Sequence, residues 1–471
     1  MAFLDTFRRM TLPLVALSLA ACPKAPEPAA SQSTPPSAPT PTPTPKVTSA
    51  EPTRYDEIAR HLDAGGDFFC ILSTEATIRK VSTALDSLKS RFLARFKEDQ
   101  RTDAGKQWDL VISLLRKGGA GDLGGIGFSS IAVEPGNYRY KVVLHHPEGK
   151  GTGAFWKMVT GSSNALSILP WLPEKTALVS SNDFSLQPFW ELIKQELPPE
   201  YKKELDTLNE AFRSKANLDL DRLVGSLGPL YALVVTLDEQ RTLTLPDNST
   251  TIPYPSFALV IQISDPEVRT RIEQALAEIP GIADTDENGV SIKRLAIPLP
   301  EPLNRPAIGW KDNLFFVCSN EALVQEMAAV KAGKKPGLTA NPEFQKIAAG
   351  LPKAAVHFSA SSPGYTKALH ASQKELLRFF PPSAFEKWTY SVAEHTSTGL
   401  VTMGQSPLSL ADAALIFTAA TLEQVATGTP KTEEAQEAST EAATETTEET
   451  SDRAGQVHKS NDSVGRIEKV E

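Results

Sequence analysis

Cysteine is scarce in this chain: its 471 residues include three, Cys22, Cys70 and Cys318. So low a count excludes the disulfide-dense scaffolds on which small secreted domains depend. Cys70 and Cys318 both lie inside apolar stretches, where a free cysteine usually behaves as a small buried hydrophobe. Two buried thiols are therefore the favoured interpretation, while a disulfide between Cys70 and Cys318 stays open. Without a histidine cluster beside them, these thiols do not indicate a metal site.

Clusters of basic residues are missing too. The formal net charge is −9. Residues 429–471 contain eleven acidic and five basic side chains and so carry six of those negative charges. The rest of the chain is close to neutral. A protein that binds nucleic acid needs a basic stripe that displaces counterions from phosphate, so no nucleic-acid partner is expected.

Long hydrophobic runs are also lacking. A membrane-spanning helix needs roughly 20 apolar residues, and the apolar runs of this chain are shorter. One of them, Met10–Leu19, is about ten residues long and follows Arg8 and Arg9. A positive segment followed by a short apolar run is typical of a secretory signal peptide.

The next residues, Leu19, Ala20, Ala21 and Cys22, resemble the lipobox of bacterial lipoproteins. In that family the cysteine thiol takes a diacylglycerol, the bond before it is cut, and the new N-terminus is usually acylated. The resemblance implies a signal peptide over residues 1–21, signal-peptidase recognition by Leu19, Ala20 and Ala21, and lipidation of Cys22. Two or three acyl chains anchor a protein stably. The alternative is an ordinary secretory signal followed by an accidental cysteine.

Proline and acidic residues mark the two ends of the mature chain. Residues 22–53 hold the lipidated cysteine and a Pro-rich tether, which favours extended polyproline II and serves as a semi-rigid spacer. Residues 429–471 are rich in Thr and Glu and predict a disordered acidic tail. Pro23, rather than aspartate, follows the cysteine, which by analogy with Gram-negative sorting favours the outer membrane. We expect a lipid-anchored protein of the cell envelope, at the outer membrane and facing the periplasm or the cell surface.

Between tether and tail, apolar strands alternate with amphipathic helices. An apolar run, one or two small polar residues and then a helix recur, as in Ala258–Ile263 followed by residues 265–279. Strands with only a short turn between them, such as Ala307–Trp310 and Leu314–Cys318, are expected to pair antiparallel. Ala413–Phe417 is predicted as a further strand.

This order of elements predicts an α+β fold, with antiparallel sheets and amphipathic helices on one face. Similar parts recur before and after about residue 227. We therefore predict two related halves, residues 54–226 and 227–428, joined by a mostly helical segment at 197–223.

Motifs for cofactors are not apparent. Glycines between Gly118 and Gly127 follow a predicted helix and precede a strand, the reverse of a dinucleotide-binding fingerprint. They predict a loop that ends the helix. Asp284–Gly289 opens like a calcium loop, but Leu295 stands where the twelfth-position glutamate belongs. That segment predicts an acidic turn between a helix and a strand, with Asn288 and Gly289 at positive φ.

Histidines and tryptophans give no clear site either. His145 and His146 are expected on opposite faces at the end of a strand, so they do not bind one metal together. His357 lies inside a short strand and is predicted to be a core or edge residue. The six tryptophans are predicted to pack the core, although aromatic residues also line pockets for lipid or glycan. We predict no catalytic residue, no cofactor and no metal.

One stretch, Trp310–Ser359, carries a family resemblance. An apolar strand ends in Ser319–Glu321, a turn follows at Gly333–Lys335, and Leu338–Phe344 precedes a new strand. This combination resembles exported bacterial proteins that are grouped only as a domain of unknown function. The resemblance implies location and architecture and carries no activity.

The expected function is therefore that of a noncatalytic envelope lipoprotein whose body binds a ligand or scaffolds an assembly. Its partners would be the membrane, through the N-terminal lipid, and an envelope protein, glycan or lipid. One alternative is a carrier or chaperone for a hydrophobic ligand, which requires a deep apolar cavity. The other is an unrecognised hydrolase, which requires a nucleophile, a base and an oxyanion site close together.

Overall fold

The computed structural model describes residues 54–74, 85, 88–159, 163–245, 250–277, 283–295, 301–303, 305–373, 380–416 and 418. All of them belong to one compact unit, Pro52–Glu471. The predicted signal peptide, the tether with Cys22, and the acidic tail lie outside the described residues. Within the described ranges, no helix combines the length and the apolar character needed to cross a bilayer.

The core of the fold is an open antiparallel sheet, to which the described residues contribute 13 strands. The strands are β1 (Phe68–Ser73), β2 (Gly125–Glu134), β3 (Asn137–His145), β4 (Thr176–Asp183), β5 (Leu227–Thr244), β6 (Thr251–Ile263), β7 (Ala283–Glu287), β8 (Val290–Arg294), β9 (Ala307–Lys311), β10 (Leu314–Cys318), β11 (His357–Ser361), β12 (Thr389–Thr396) and β13 (Gly399–Ser406). Their order across the sheet is β1-β2-β3-β13-β12-β11-β4-β5-β6-β10-β9-β8-β7. The α+β class and the antiparallel pairing are confirmed.

Helices lie between the strands and at the N-terminal end of the described body. They are α1 (Arg54–Ala59), α2 (Glu98–Lys117), α3 (Ala154–Val159), α4 (Gln187–Glu196), α5 (Pro199–Ala216), α6 (Leu220–Ser226), α7 (Pro266–Ala277), α8 (Glu321–Lys331), α9 (Pro342–Ala348) and α10 (Pro363–Ser372). Single turns of 3-10 helix occur at Leu338–Ala340 and Pro382–Phe385, and a longer one at Ala165–Trp171.

Side-chain caps start several of these helices. The side chains of Asn320, Asn341 and Ser362 each accept a hydrogen bond from a backbone N–H of the first helical turn. Such caps satisfy donors that the helix itself leaves unpaired. Proline follows the cap in α9 and α10, where its missing N–H has no partner to lose. The starts of α8 and α10 follow the order that the sequence predicted, in which an apolar run and small polar residues precede a helix, whereas the start of α9 was not predicted.

One face of the sheet carries the largest hydrophobic cluster. Phe316 of β10 and Phe358 of β11 point into it, and Met327 of α8 and Phe344 of α9 cover it. All four side chains are almost fully buried. At the N-terminal edge of the sheet, Ile58 of α1 extends the same cover over β2 and β3.

Glycines in β2 make that close approach of α1 possible. A Cβ at Gly125 or Gly127 would lie 2.6 or 2.4 Å from a side-chain carbon of Ile58. The sequence predicted a loop at these two glycines, but both lie in the first part of β2. Their lack of a side chain leaves the space that Ile58 occupies.

The opposite face is covered in part. Val268 of α7 packs with Ile263 and Trp310 there, in a second cluster. Farther along the strands, Leu233, Leu259 and Val317 form one cross-strand row and stay between 38% and 41% exposed. Helices therefore lie on both faces rather than on one, as the sequence had predicted, and the second face keeps an uncovered strip.

Two local predictions were wrong. Residues 410–416 are helical rather than a strand. Ser409 and Asp412 start that helix, because the Ser409 hydroxyl accepts from the Asp412 N–H at 3.0 Å while the Asp412 carboxylate accepts from the Ser409 N–H at 3.2 Å. This reciprocal pair is a capping box. The acidic segment is not a turn between helix and strand but the hairpin β7–β8, whose turn has Asn288 at φ 56° and Gly289 at φ 72°.

Strand order mixes the two sequence halves. Strands β11 to β13 come from the C-terminal half of the chain, yet they lie between β3 and β4 of the N-terminal half. The helical segment between the halves is present as α5 and α6. The division into two related halves stays a prediction.

Candidate functional site

The predicted lipidation residue Cys22 and the recognition residues Leu19, Ala20 and Ala21 lie outside the described residues. Neither of the other two cysteines forms a disulfide. Cys70 is on β1 and Cys318 on β10, and nine strand-to-strand steps separate these strands. At about 4.8 Å per step that is on the order of 40 Å, whereas a disulfide needs Cα atoms within about 7 Å. The disulfide alternative is therefore excluded. Cys318 is buried as predicted, whereas Cys70 is only half-buried, so the prediction of two buried thiols was wrong for Cys70.

Other sequence candidates have structural roles. Gly118 and Gly119 follow α2 in a turn, which agrees with the predicted loop after a helix. Around that turn, the indole N–H of Trp156 donates to the Gly119 carbonyl at 2.9 Å. Among the described residues, no group of three or more His, Cys, Asp or Glu side chains is arranged to hold a metal ion.

His145 connects α1 to the end of β3. Its side chain is 1% exposed, and Nε2 lies 2.9 Å from a carboxylate oxygen of Glu57. Burial lowers the pKa of His145, and the charge and hydrogen bond of Glu57 oppose that shift. His146 instead packs edge-on against Trp156, with ring centroids 4.7 Å apart. The two histidines do not converge on one site.

His357 starts β11 on the partly covered face. Its Nδ1 lies 2.8 Å from the side-chain oxygen of Asn182 on the neighbouring strand β4. Burial lowers the pKa of His357. A neutral ring that donates from Nδ1 to Asn182 fits this contact, so the residue behaves as the sheet histidine that the sequence predicted.

The partly covered face also has a cleft, which the sequence did not predict. Its volume is about 230 Å³ and it opens to solvent. Residues from β3, β4, β11, β12 and β13 line it: Tyr140, Leu178, Ser359, Ala360, Ser361, Thr389, Tyr390, Ser391, Gln405 and Ser406. We call this feature the hydroxyl cleft, because six of the ten lining side chains, leaving aside the inward-facing Tyr390, end in a hydroxyl group.

Strand register creates the hydroxyl cleft. Tyr140, Gly404, Ser391 and Ser359 are direct partners on four neighbouring strands, so their Cα atoms form one row on the same face. A Cβ at Gly404 would lie 2.6 Å from the Cζ atom of Tyr140. The far end of the phenol ring therefore rests on the backbone of Gly404 and forms one wall of the cleft.

Hydrogen bonds hold part of the lining. The hydroxyls of Ser361 and Thr389 are 2.6 Å apart, and the Tyr140 hydroxyl donates to the Tyr390 carbonyl at 3.5 Å. Burial raises the pKa of Tyr140, and a hydrogen bond with Ser391 opposes that shift. The phenol therefore stays neutral at physiological pH. The half-buried Ser359 hydroxyl has no partner within the part of the chain that the structure describes.

The lining of the hydroxyl cleft is uncharged. None of its ten residues is Asp, Glu, Lys, Arg, His or Cys. It offers hydroxyl donors and acceptors, one amide, and one aromatic ring. The only hint in the sequence is the alternation of serine with apolar residues in Phe358–Ser361 and Tyr390–Val392, a pattern that many half-exposed strands share.

Comparisons with known proteins add no relative: no protein-family model, no curated protein and no solved structure matches the chain.

Proposed function

We propose that the protein is a membrane-anchored lipoprotein of the cell envelope whose body has a noncatalytic binding role, with the hydroxyl cleft as the binding site. The anchor part of the proposal rests on the lipobox-like residues Leu19–Cys22. The binding part rests on one observation, the neutral, hydroxyl-lined recess on the sheet face.

The chemistry of the cleft supports binding over hydrolysis. A hydrolase needs a nucleophile within hydrogen-bond reach of a base. Ser361 and Thr389 instead bond to each other, and the neighbouring His357 bonds through Nδ1 to Asn182. No group in the lining has a pKa near neutral pH, where a general base works best.

The size and polarity of the cleft bear on the hydrophobic-carrier alternative. Sites for small organic ligands usually measure about 300–1,000 Å³, whereas this cleft measures about 230 Å³ and several of its lining side chains end in hydroxyl groups. An acyl chain placed there would deprive those hydroxyls of water without replacing their hydrogen bonds. The carrier hypothesis therefore has less support than a polar ligand does.

The anchor is tested by expressing the full precursor in a Gram-negative host that is fed an alkyne fatty acid. Wild type is expected to take up the label and to fractionate with membranes, and Cys22→Ala is expected to do neither. Cys70→Ala is the matched control and should behave like wild type. If Cys22→Ala keeps its label and its membrane association, the anchor proposal is wrong.

A separate measurement distinguishes the proposed binding role from the hydrophobic-carrier alternative. Native mass spectrometry of the purified, full-length mature protein is expected to show the protein without a tightly bound lipid beyond its covalent acyl chains. A stoichiometric noncovalent lipid would favour the carrier alternative instead.

A further inference from the structure

We infer that the hydroxyl cleft binds a single pyranose ring of a neutral glycan, with the sugar ring against Tyr140. This inference rests on the proposed binding function of the cleft and specifies the class of ligand.

Charge sets the first limit on the ligand. Phosphates, carboxylates and ammonium groups are bound in proteins by partners of opposite charge or by several charge-assisted hydrogen bonds. No lining residue of the cleft is charged. The burial that raises the pKa of Tyr140 keeps its phenol protonated, so this wall stays neutral as well. The lining therefore selects a neutral ligand.

Hydrogen-bonding capacity sets the second limit. Each serine or threonine hydroxyl offers one donor and two acceptor positions. The Ser361–Thr389 contact uses only part of that capacity, and Ser359 has no partner among the described residues. A ligand that covers these groups must replace the water they lose. A polyhydroxylated ligand does so at several positions simultaneously.

Shape sets the third limit. The recess holds about 230 Å³ and opens to solvent, which is smaller than a usual site for a drug-sized molecule. One sugar ring suits that volume, and the open side lets neighbouring units of a chain extend into water. Tyr140 is held by Gly404 behind it and by the Tyr390 carbonyl at its hydroxyl. A ring fixed in this way presents an amphipathic surface to the C–H face of a pyranose at little cost in side-chain entropy.

The experiment uses the full mature protein in a detergent without a sugar headgroup. Isothermal titration calorimetry and saturation-transfer NMR measure binding of three tetrasaccharides: N-acetylchitotetraose, maltotetraose and, as the charged comparison, tetragalacturonate. We expect one neutral tetrasaccharide to bind with a dissociation constant of about 1 mM or below, and tetragalacturonate to bind at least about ten-fold more weakly. Which neutral probe binds separates an amino-sugar glycan from a hexose glycan.

Amino-acid substitutions test whether the sugar binds in the hydroxyl cleft. Ser359→Phe fills the recess and is expected to weaken binding at least about ten-fold by steric exclusion. Ser291→Phe is the matched control: it lies on the same face of the sheet, six strands away on β8, and should bind like wild type. Tyr140→Ala is expected to lose about ten-fold or more. Tyr140→Phe keeps the ring and should stay within about two-fold. Thermal unfolding confirms that each variant is folded.

Three results would contradict the proposed binding of a neutral sugar. If neither neutral probe binds at about 10 mM, if tetragalacturonate binds as well as they do, or if a folded Ser359→Phe variant binds like wild type, the inference is overturned. Normal acyl labelling combined with absent sugar binding overturns the inference alone. Sugar binding by a protein that takes up no acyl label overturns the anchor and leaves the ligand assignment standing.

Discussion

Phe316 and Val317 are neighbours on β10 whose side chains leave opposite faces of the sheet, so truncating each one tests the two faces separately. Phe316 is 1% exposed, and its ring centroid lies 5.2 Å from that of Trp171. Phe316→Ala removes a fully buried ring and leaves a cavity, which usually lowers the free energy of unfolding by about 3–5 kcal/mol. Val317 is 38% exposed. Val317→Ala removes two methyl groups that are only partly out of water, for which we expect about 1 kcal/mol or less.

Urea unfolding of the full mature protein, followed by far-UV circular dichroism, measures both values. The denaturation midpoint should fall several-fold further for Phe316→Ala than for Val317→Ala, at an unchanged dependence on urea concentration. Equal losses would mean that both faces of β10 are equally buried. Such a result would refute the uncovered strip on the second face, as would a larger loss for Val317→Ala.

Three further predictions concern thiols, pH and one ion pair. In the native protein a maleimide should modify Cys70 faster than Cys318, whose pKa is raised by burial; both should react in urea without reductant, and protection there would indicate a disulfide. Burial lowers the folded pKa of His145 below its ordinary value of 6.5, so the unfolded chain binds more protons near and below that pH, and the contribution of this residue should make stability fall as the pH drops below about 7. His145→Gln should reduce that decline in melting temperature, and an unchanged pH profile would contradict the assignment. The Asp63 carboxylate forms ion pairs with Lys141 at 2.8 Å and with Arg139 at 2.9 Å. The substitution Asp63→Asn should therefore lower the free energy of unfolding by about 1–2 kcal/mol. The exposed control Asp103→Asn should change the free energy of unfolding by less than about 0.5 kcal/mol, and equal losses would remove the role given to Asp63.

The titration of Asp63 does not affect stability in the pH range in which His145 titrates. Burial alone would raise the pKa of Asp63, but hydrogen bonds from Lys141 and Arg139 outweigh it and lower the pKa below its ordinary value of 3.8. A depressed carboxylate pKa contributes stability that is lost only as pH falls through the folded value. Its contribution is therefore still complete at pH 5.

Local chemistry explains what the sequence predicted well. Asn320 and Ser362 cap their helices because a short polar side chain and the backbone N–H that it bonds are three residues apart. The spacing of apolar residues, every second residue in strands and every 3.6 residues in helices, is likewise set by nearby positions in the chain. The error at residues 410–416 came from a short apolar run, which fits a strand or a helix equally well. The capping box formed by Ser409 and Asp412 decides in favour of the helix.

Long-range pairing explains what the sequence did not predict. The hydroxyl cleft exists because Tyr140 lies beside Gly404, more than 250 residues later, and because Ser359 and Ser391 fall in the same row. A shift of one residue in any of these registers would turn the serines to the other face. Nothing local to Tyr140 or Gly404 specifies that meeting, so the cleft could not be found without the sheet.

The position of β13 between β3 and β12 also constrains how the chain comes to be folded. While residues beyond 388 are still missing, β3 has only β2 as a neighbour, and β11 lacks its partner on the far side. The centre of the sheet is thus assembled from pieces made first and pieces made last, an arrangement that slows folding because distant segments must meet before their contacts repay the lost chain entropy. For the export that we propose, this order has one consequence: the central strands could not all join until β13 had crossed the membrane after them.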